Sequence, residues 1–112
     1  MAVMFKTPRK SKYNAQATWV NNIRFDSKKE ANRYVELVSL QAQGHISNLR
    51  LQVIFQFFCA GIEVDRWRID FTYIDDCGRK VAEDPTGFLT AKKKRHIRYF
   101  EKQYPDWKLI IS

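Results

Sequence analysis

Residues 64–88 read VDRWRIDFTYIDDCGRKVAEDPTGF, and this stretch decides what kind of sheet the chain builds. The run RIDFTYI, from Arg68 to Ile74, has the alternation and the aromatic and β-branched content of a strand. Asp75-Asp76-Cys77-Gly78 is turn chemistry, because Gly78 takes φ > 0 without a Cβ clash. Arg79 to Asp84 then returns as an antiparallel partner strand, stopped by Pro85 and Gly87. Asp70 is out of place in this pattern. Asp is a poor strand former, while its neighbours Ile69 and Phe71 call for a core. A buried carboxylate is costly without a partner, and Asp84 ends the next strand fourteen positions later. Two strands carrying carboxylates, on a basic protein, point to a metal held beside a polyanion.

The chain has 112 residues, enough for one domain with a single modest core. Its 45% hydrophobic and 14% aromatic content supports a packed globule over a disordered chain. The formal net charge of +8 favours a polyanionic partner, nucleic acid before membrane. Cys59 and Cys77 are too few for a disulfide framework, and neither has a Cys or His at zinc-ligand spacing. Cys59, in an apolar run, reads as a small hydrophobe. No apolar run approaches the roughly 20 residues that span a bilayer. The N-terminus lacks the apolar core of a signal peptide. A cytoplasmic protein without membrane contact is expected.

Residues 1–17 are polar and basic without periodicity and read as a flexible arm, in which Lys10 and Lys12 are candidate phosphate contacts; residues 18–112 read as one domain. Residues 18–25 look like a small hairpin with Asn21-Asn22 in the left-handed turn positions. Ser27-Lys28-Lys29-Glu30 is a capping box opening a helix, whose apolar face recurs through Ala31, Tyr34, Val35, Val38 and Ala42 until Gly44 stops it. Residues 52–59 are the next strand, and Gly61 turns it into the long strand above. Thr90 caps a second helix from Ala91 to Tyr104, ended by Pro105, with one basic face of Lys92, Lys93, Lys94, Arg95 and Arg98. Residues 107–111, WKLII, close the domain as a last strand. The order predicts an α/β (α+β) fold: a mixed central sheet with a helix on each side.

Glu30, Asp70 and the pair Glu83-Asp84 can converge on such a scaffold. Two or three carboxylates suffice for Mg²⁺ or Mn²⁺, which prefer hard oxygen ligands. Glu83 and Asp84 point to opposite faces of their strand, so one alone shares the side of Asp70. Asp84 is the first choice as a metal ligand with Asp70, and Glu83 the second. Each acid also has a plain structural reading. Glu30 is complete as a capping-box acid, Glu83-Asp84 before a proline is ordinary turn chemistry, and an inward charge such as Asp70 protects an edge strand. The tryptophans read as core or half-buried sheet residues, and His45 and His96 have no partner spacing.

The runs FDSKKEANRY, RIDFTYID and VAEDPTGF, with the basic helix and the terminal WKLII, resemble a small phage-encoded family of the PD-(D/E)XK, or restriction-endonuclease-like, nuclease superfamily. The resemblance covers residues 13–111. The helix Glu followed by a strand Asp is also similar to phage Holliday-junction resolvases of the endonuclease I type. It implies a restriction-endonuclease-like sheet, Mg²⁺-dependent hydrolysis of phosphodiesters and a DNA substrate, branched DNA among the options. Glu30 then matches the helix acid, Asp70 the first strand acid and Asp84 the second. The pattern has a Lys two residues after the second strand acid, where this chain has Thr86. A neutral hydroxyl cannot offset phosphate charge as that Lys does. A lysine from the second helix, Lys93 in first place, is the candidate substitute among the catalytic residues.

Three functions follow as expectations. One is a metal-dependent DNA endonuclease, for which cutting both strands of a symmetric junction favours a homodimer. Another is a non-catalytic DNA-binding protein on the same scaffold, motivated by Thr86. The last is a protein–protein adaptor using the aromatic run near Phe57 as an exposed contact.

Overall fold

The computed structural model describes residues 17–85 and 89–112; Lys10, Lys12 and Thr86 lie outside them. Strands β1 (Thr18–Val20) and β2 (Ile23–Phe25) form the expected hairpin, with Asn21 and Asn22 at φ 51° and 66°. Both turn residues adopt positive φ, as the favoured two-residue hairpin turn requires. Helix α1 (Lys28–Ala42) starts where Ser27 Oγ accepts from the Glu30 amide at 3.2 Å. It ends at Gly44, whose φ of 83° lets the His45 amide donate to Leu40 O at 2.9 Å.

β3 (Ser47–Cys59) and β4 (Ile62–Ile74) form a long antiparallel ribbon, turned by Ala60-Gly61 at φ 52° and 80°. β5 (Lys80–Asp84) pairs antiparallel with β4, and α2 (Ala91–Gln103) crosses over to β6 (Trp107–Ile111), which pairs parallel with β5. The result is the expected mixed α+β arrangement, a four-stranded sheet in the order β3-β4-β5-β6. β3 begins five residues before the strand expected at Gln52. Asn48 and Gln52 both sit at φ 57°, and these left-handed residues interrupt the alternation that would have marked the earlier half as strand.

Each helix covers one core. Phe25, Ala31, Leu37, Phe71, Tyr73 and Val81 pack on the α1 side. Phe55, Phe57, Trp67, Ile69, Ala82 and Phe100 pack on the α2 side. Val81 and Ala82 are neighbours on β5, so the cores lie on opposite faces of the sheet. Ile69 and Phe71 are two residues apart on β4 and should share a face, yet they fall in different cores. Their ladder partners Val53 and Leu51 part company in the same way, and the intervening Gln52–Asp70 pair is missing from the ladder. The left-handed backbone at Gln52 therefore turns the ribbon over, with Asp70 opposite it.

Phe57 is fully buried, whereas Ile54 and Phe58 of the same run remain about half exposed. Cys59, expected to be a small core hydrophobe, is exposed beside the hairpin turn. Trp67 is buried and Trp107 half-buried, whereas Trp19 is more than half exposed.

Candidate active site

Asp70 occupies the point where β4 turns over, and it is reached from both sides. Glu30, in the first turn of α1, interacts with its side chain, and the charge of Asp84 acts on both. Gln52 Nε2 donates to Asp70 Oδ1 at 3.3 Å. Burial first, then the charges of Glu30 and Asp84 and the bond to Glu30, push the Asp70 carboxyl up to about 8. Burial also raises Glu30, opposed by the Asp26 amide and by the bond from Asp70. Two carboxyl groups hydrogen-bond to each other only if one keeps its proton. Burial and the two neighbouring acids favour the proton on Asp70. In ordinary terms the acids repel, and a shared proton is the relief available when no cation lies between them.

Glu30 also fulfils its structural role. Its Oε1 accepts from the amide of Asp26 at 3.3 Å, one residue before the capping Ser27. The helix cap and the bond to Asp70 thus coexist on one side chain. Glu30, Asp70 and Asp84 together offer hard oxygen donors with excess negative charge, a set that fits Mg²⁺ or Mn²⁺ and not a soft metal. The triad is open: among the described residues, the acidic group whose ligand atoms all lie within 4.8 Å of one another is Asp75, Asp76 and Cys77 instead. That group is the β4–β5 turn, where Asp75 Oδ1 already accepts from the amides of Cys77 and Arg79 at 3.0 and 2.9 Å.

Asp84 has a cation beside it. Lys93 Nζ donates to Asp84 Oδ2 at 2.8 Å and stands 5.2 Å from the centre of the Trp67 ring. Thr90 Oγ1 caps α2 by accepting from the Lys93 amide at 3.1 Å, which fixes the helical turn from which this lysine reaches inward. Lys92, Lys94, Arg95 and Arg98 are exposed on α2. Arg95 lies 3.5 Å from Asp65, and the same carboxylate accepts His96 Nε2 at 3.1 Å. His96 is buried and stacked on Trp67, so it ties α2 to β4.

Glu83, the second-choice metal ligand, is a correction. It faces the α1 side, buried, with both oxygens occupied. Arg33 approaches with Nε on one oxygen and Nη2 on the other at 3.0 Å, and Tyr73 Oη donates at 2.7 Å. The Glu83 bond raises the Arg33 guanidinium, which needs no neutral form here. Burial, then Glu83, pushes the Tyr73 phenol up to about 12. Strand alternation separated Glu83 from Asp84 but gave no sign of its partner. Arg33 comes from fifty residues away, and its one local signal is the spacing to Glu36, which it also binds at 2.8 Å. The network clamps α1 to β5, one turn beyond Glu30, and so sets the height at which Glu30 meets Asp70.

Residues 10–112 match the model of the family described as "Protein of unknown function (DUF1064)". No curated protein and no solved structure matches the chain.

Proposed function

We propose that this chain, which belongs to that family, is a divalent-metal-dependent DNA endonuclease acting on branched DNA. Asp70 and Asp84 would hold the cation, with Glu30 beside them. A bound Mg²⁺ or Mn²⁺ lowers the pKa of a coordinated water and offsets charge on the scissile phosphate. The observation that carries the reading is the convergence of Glu30, Asp70 and Asp84 from three elements, close enough that burial and the neighbouring charges push the Asp70 carboxyl up, a cost that a divalent cation would relieve.

The remaining work falls to the side chains. Glu30, the acid beside Asp70, is placed to take a proton that Asp70 gives up. Lys93 supplies positive charge next to Asp84 on the α2 side, the role that Thr86 cannot fill. The net charge of +8 draws a polyanion to the site, and two copies would serve the two strands of a symmetric junction. No helix among the described residues is long and apolar enough to cross a membrane.

The test is incubation with four-way junction, flap and linear duplex DNA in Mg²⁺ or Mn²⁺. Metal-dependent cleavage that disappears in Asp70→Ala and Asp84→Ala is expected. An inert wild type, or undiminished cleavage by Asp70→Ala, would overturn the proposal. One observation favours a second reading, DNA binding without cleavage: Lys93 is already paired with Asp84, so its charge is partly spent. Tight, salt-sensitive binding by an inert wild type would select it.

A further inference from the structure

Beyond the end of β5, β4 has no ladder partner on that side among the described residues, since its pairing with β5 runs from Phe71 to Ile74. The open edge at residues 66–68 faces the start of α2 across a cleft of about 290 Å³, roughly ten times the space a water takes in the liquid. Arg66 and Arg68 line it from β4, Lys92, Lys93 and Thr90 from α2, and Trp67 with His96 forms its floor. The lining contains cations and no carboxylate. Three lining groups already answer acids that lie outside the lining: Arg66 with Glu63, His96 with Asp65, and Lys93 with Asp84. The side chains of Arg68 and Lys92 have no ion-pair or hydrogen-bond partner among the described residues.

We propose that this cleft is a phosphate-binding subsite, taking a backbone phosphate of the DNA strand next to the one that is cut. The inference rests on the nuclease reading for its place in the reaction, because Lys93 belongs both to the cleft wall and to Asp84. Its chemistry stands without that reading. Two cations from different elements, neither with a partner among the described residues, suit an anion with several acceptor oxygens. Arg68 presents a planar fork and Lys92 a point charge, a pair that grips a phosphodiester without contacting a base. The subsite would therefore position DNA and leave sequence unread.

The experiment measures binding of a fluorescent 20-base-pair duplex and a four-way junction to Asp70→Asn without divalent metal, over a series of salt concentrations. Adding Arg68→Gln with Lys92→Gln should weaken binding about tenfold or more and flatten the log K against log salt slope by about two. A control pair at the far end of the sheet, Arg79→Gln with Lys108→Gln, removes the same charge and should change the slope by less than one. Equal losses in both pairs would mean diffuse attraction and overturn the subsite. So would unchanged binding by the Arg68/Lys92 pair. A parallel titration of the wild type with inorganic phosphate follows the indole N–H resonance of Trp67. A saturable shift, lost in the Arg68/Lys92 pair, supports the cleft even if no DNA is cut, whereas no shift together with no DNA binding overturns it. An uncleaved substrate with the slope difference intact would sink hydrolysis and leave the subsite standing.

Discussion

At the scale of single residues, Asp70 is the one whose chemistry can be measured most directly. Its carboxyl titrates near 4 when unfolded and about 8 when folded, so between those values the folded state binds the extra proton. Stability from this group is complete below about pH 4 and is lost as the pH climbs through about 8. Wild type should therefore melt progressively lower than Asp70→Asn as the pH rises from 5 to 8, by several degrees at the upper end. Millimolar Mg²⁺ should recover the wild type at pH 8 and leave Asp70→Asn unmoved. Scanning fluorimetry that finds Asp70→Asn melting at or below wild type at pH 8 would refute the strain assigned to this acid. Lys93 carries a separate expectation. Lys93→Gln should lower the cleavage rate by about 100-fold or more while DNA affinity changes by less than about tenfold. Full activity in that variant would show that the missing motif lysine is not replaced from α2. Asp70 stood out in the sequence because a charge in an apolar strand needs an explanation, and Asp84 drew notice only through its spacing from Asp70 on the partner strand. Lys93 was harder to single out: three consecutive lysines look alike until the cap at Thr90 fixes their rotation.

Between elements, the clamp of α1 on β5 is the least exchangeable contact. Removing one partner of a buried ion pair leaves the other desolvated and costs about 3–5 kcal/mol, more than the pair itself contributes. Arg33→Met should lose stability on that order in urea denaturation. Arg33→Met with Glu83→Leu should regain most of it, because neither charge is then stranded. A single variant as stable as wild type would show that the network is ornamental. The boundaries of α1 and α2 were readable from their caps and stops, since Ser27, Thr90, Gly44 and Pro105 act within a few residues of themselves. The clamp was not readable. Its members are Arg33, Tyr73 and Glu83, brought together by the sheet, and Glu83 in isolation looked available to a metal, second only to Asp84.

For the whole molecule, the layered architecture followed from the order of elements, and burial of Phe57 against α2 takes the centre of the aromatic run into the core while Ile54 and Phe58 stay exposed. What the pattern of apolar residues hid was the change of faces along the ribbon, because a period of two assumes a strand that keeps its sides. A left-handed residue inside a strand resists β-branched side chains. Gln52→Val should accordingly cost about 1–2 kcal/mol and disturb both cores at once, visible as shifts on the α1 and α2 sides in NMR. A perturbation confined to one side would contradict the inversion. The twist at Gln52 acts like a hinge pin in a folding screen: each panel keeps its own helix, and the joint alone looks onto both. An acid mounted on such a joint can be served by two otherwise separate layers. Altering the reactivity of Asp70 then requires no change to its immediate neighbours, only a small rotation of one panel against the other.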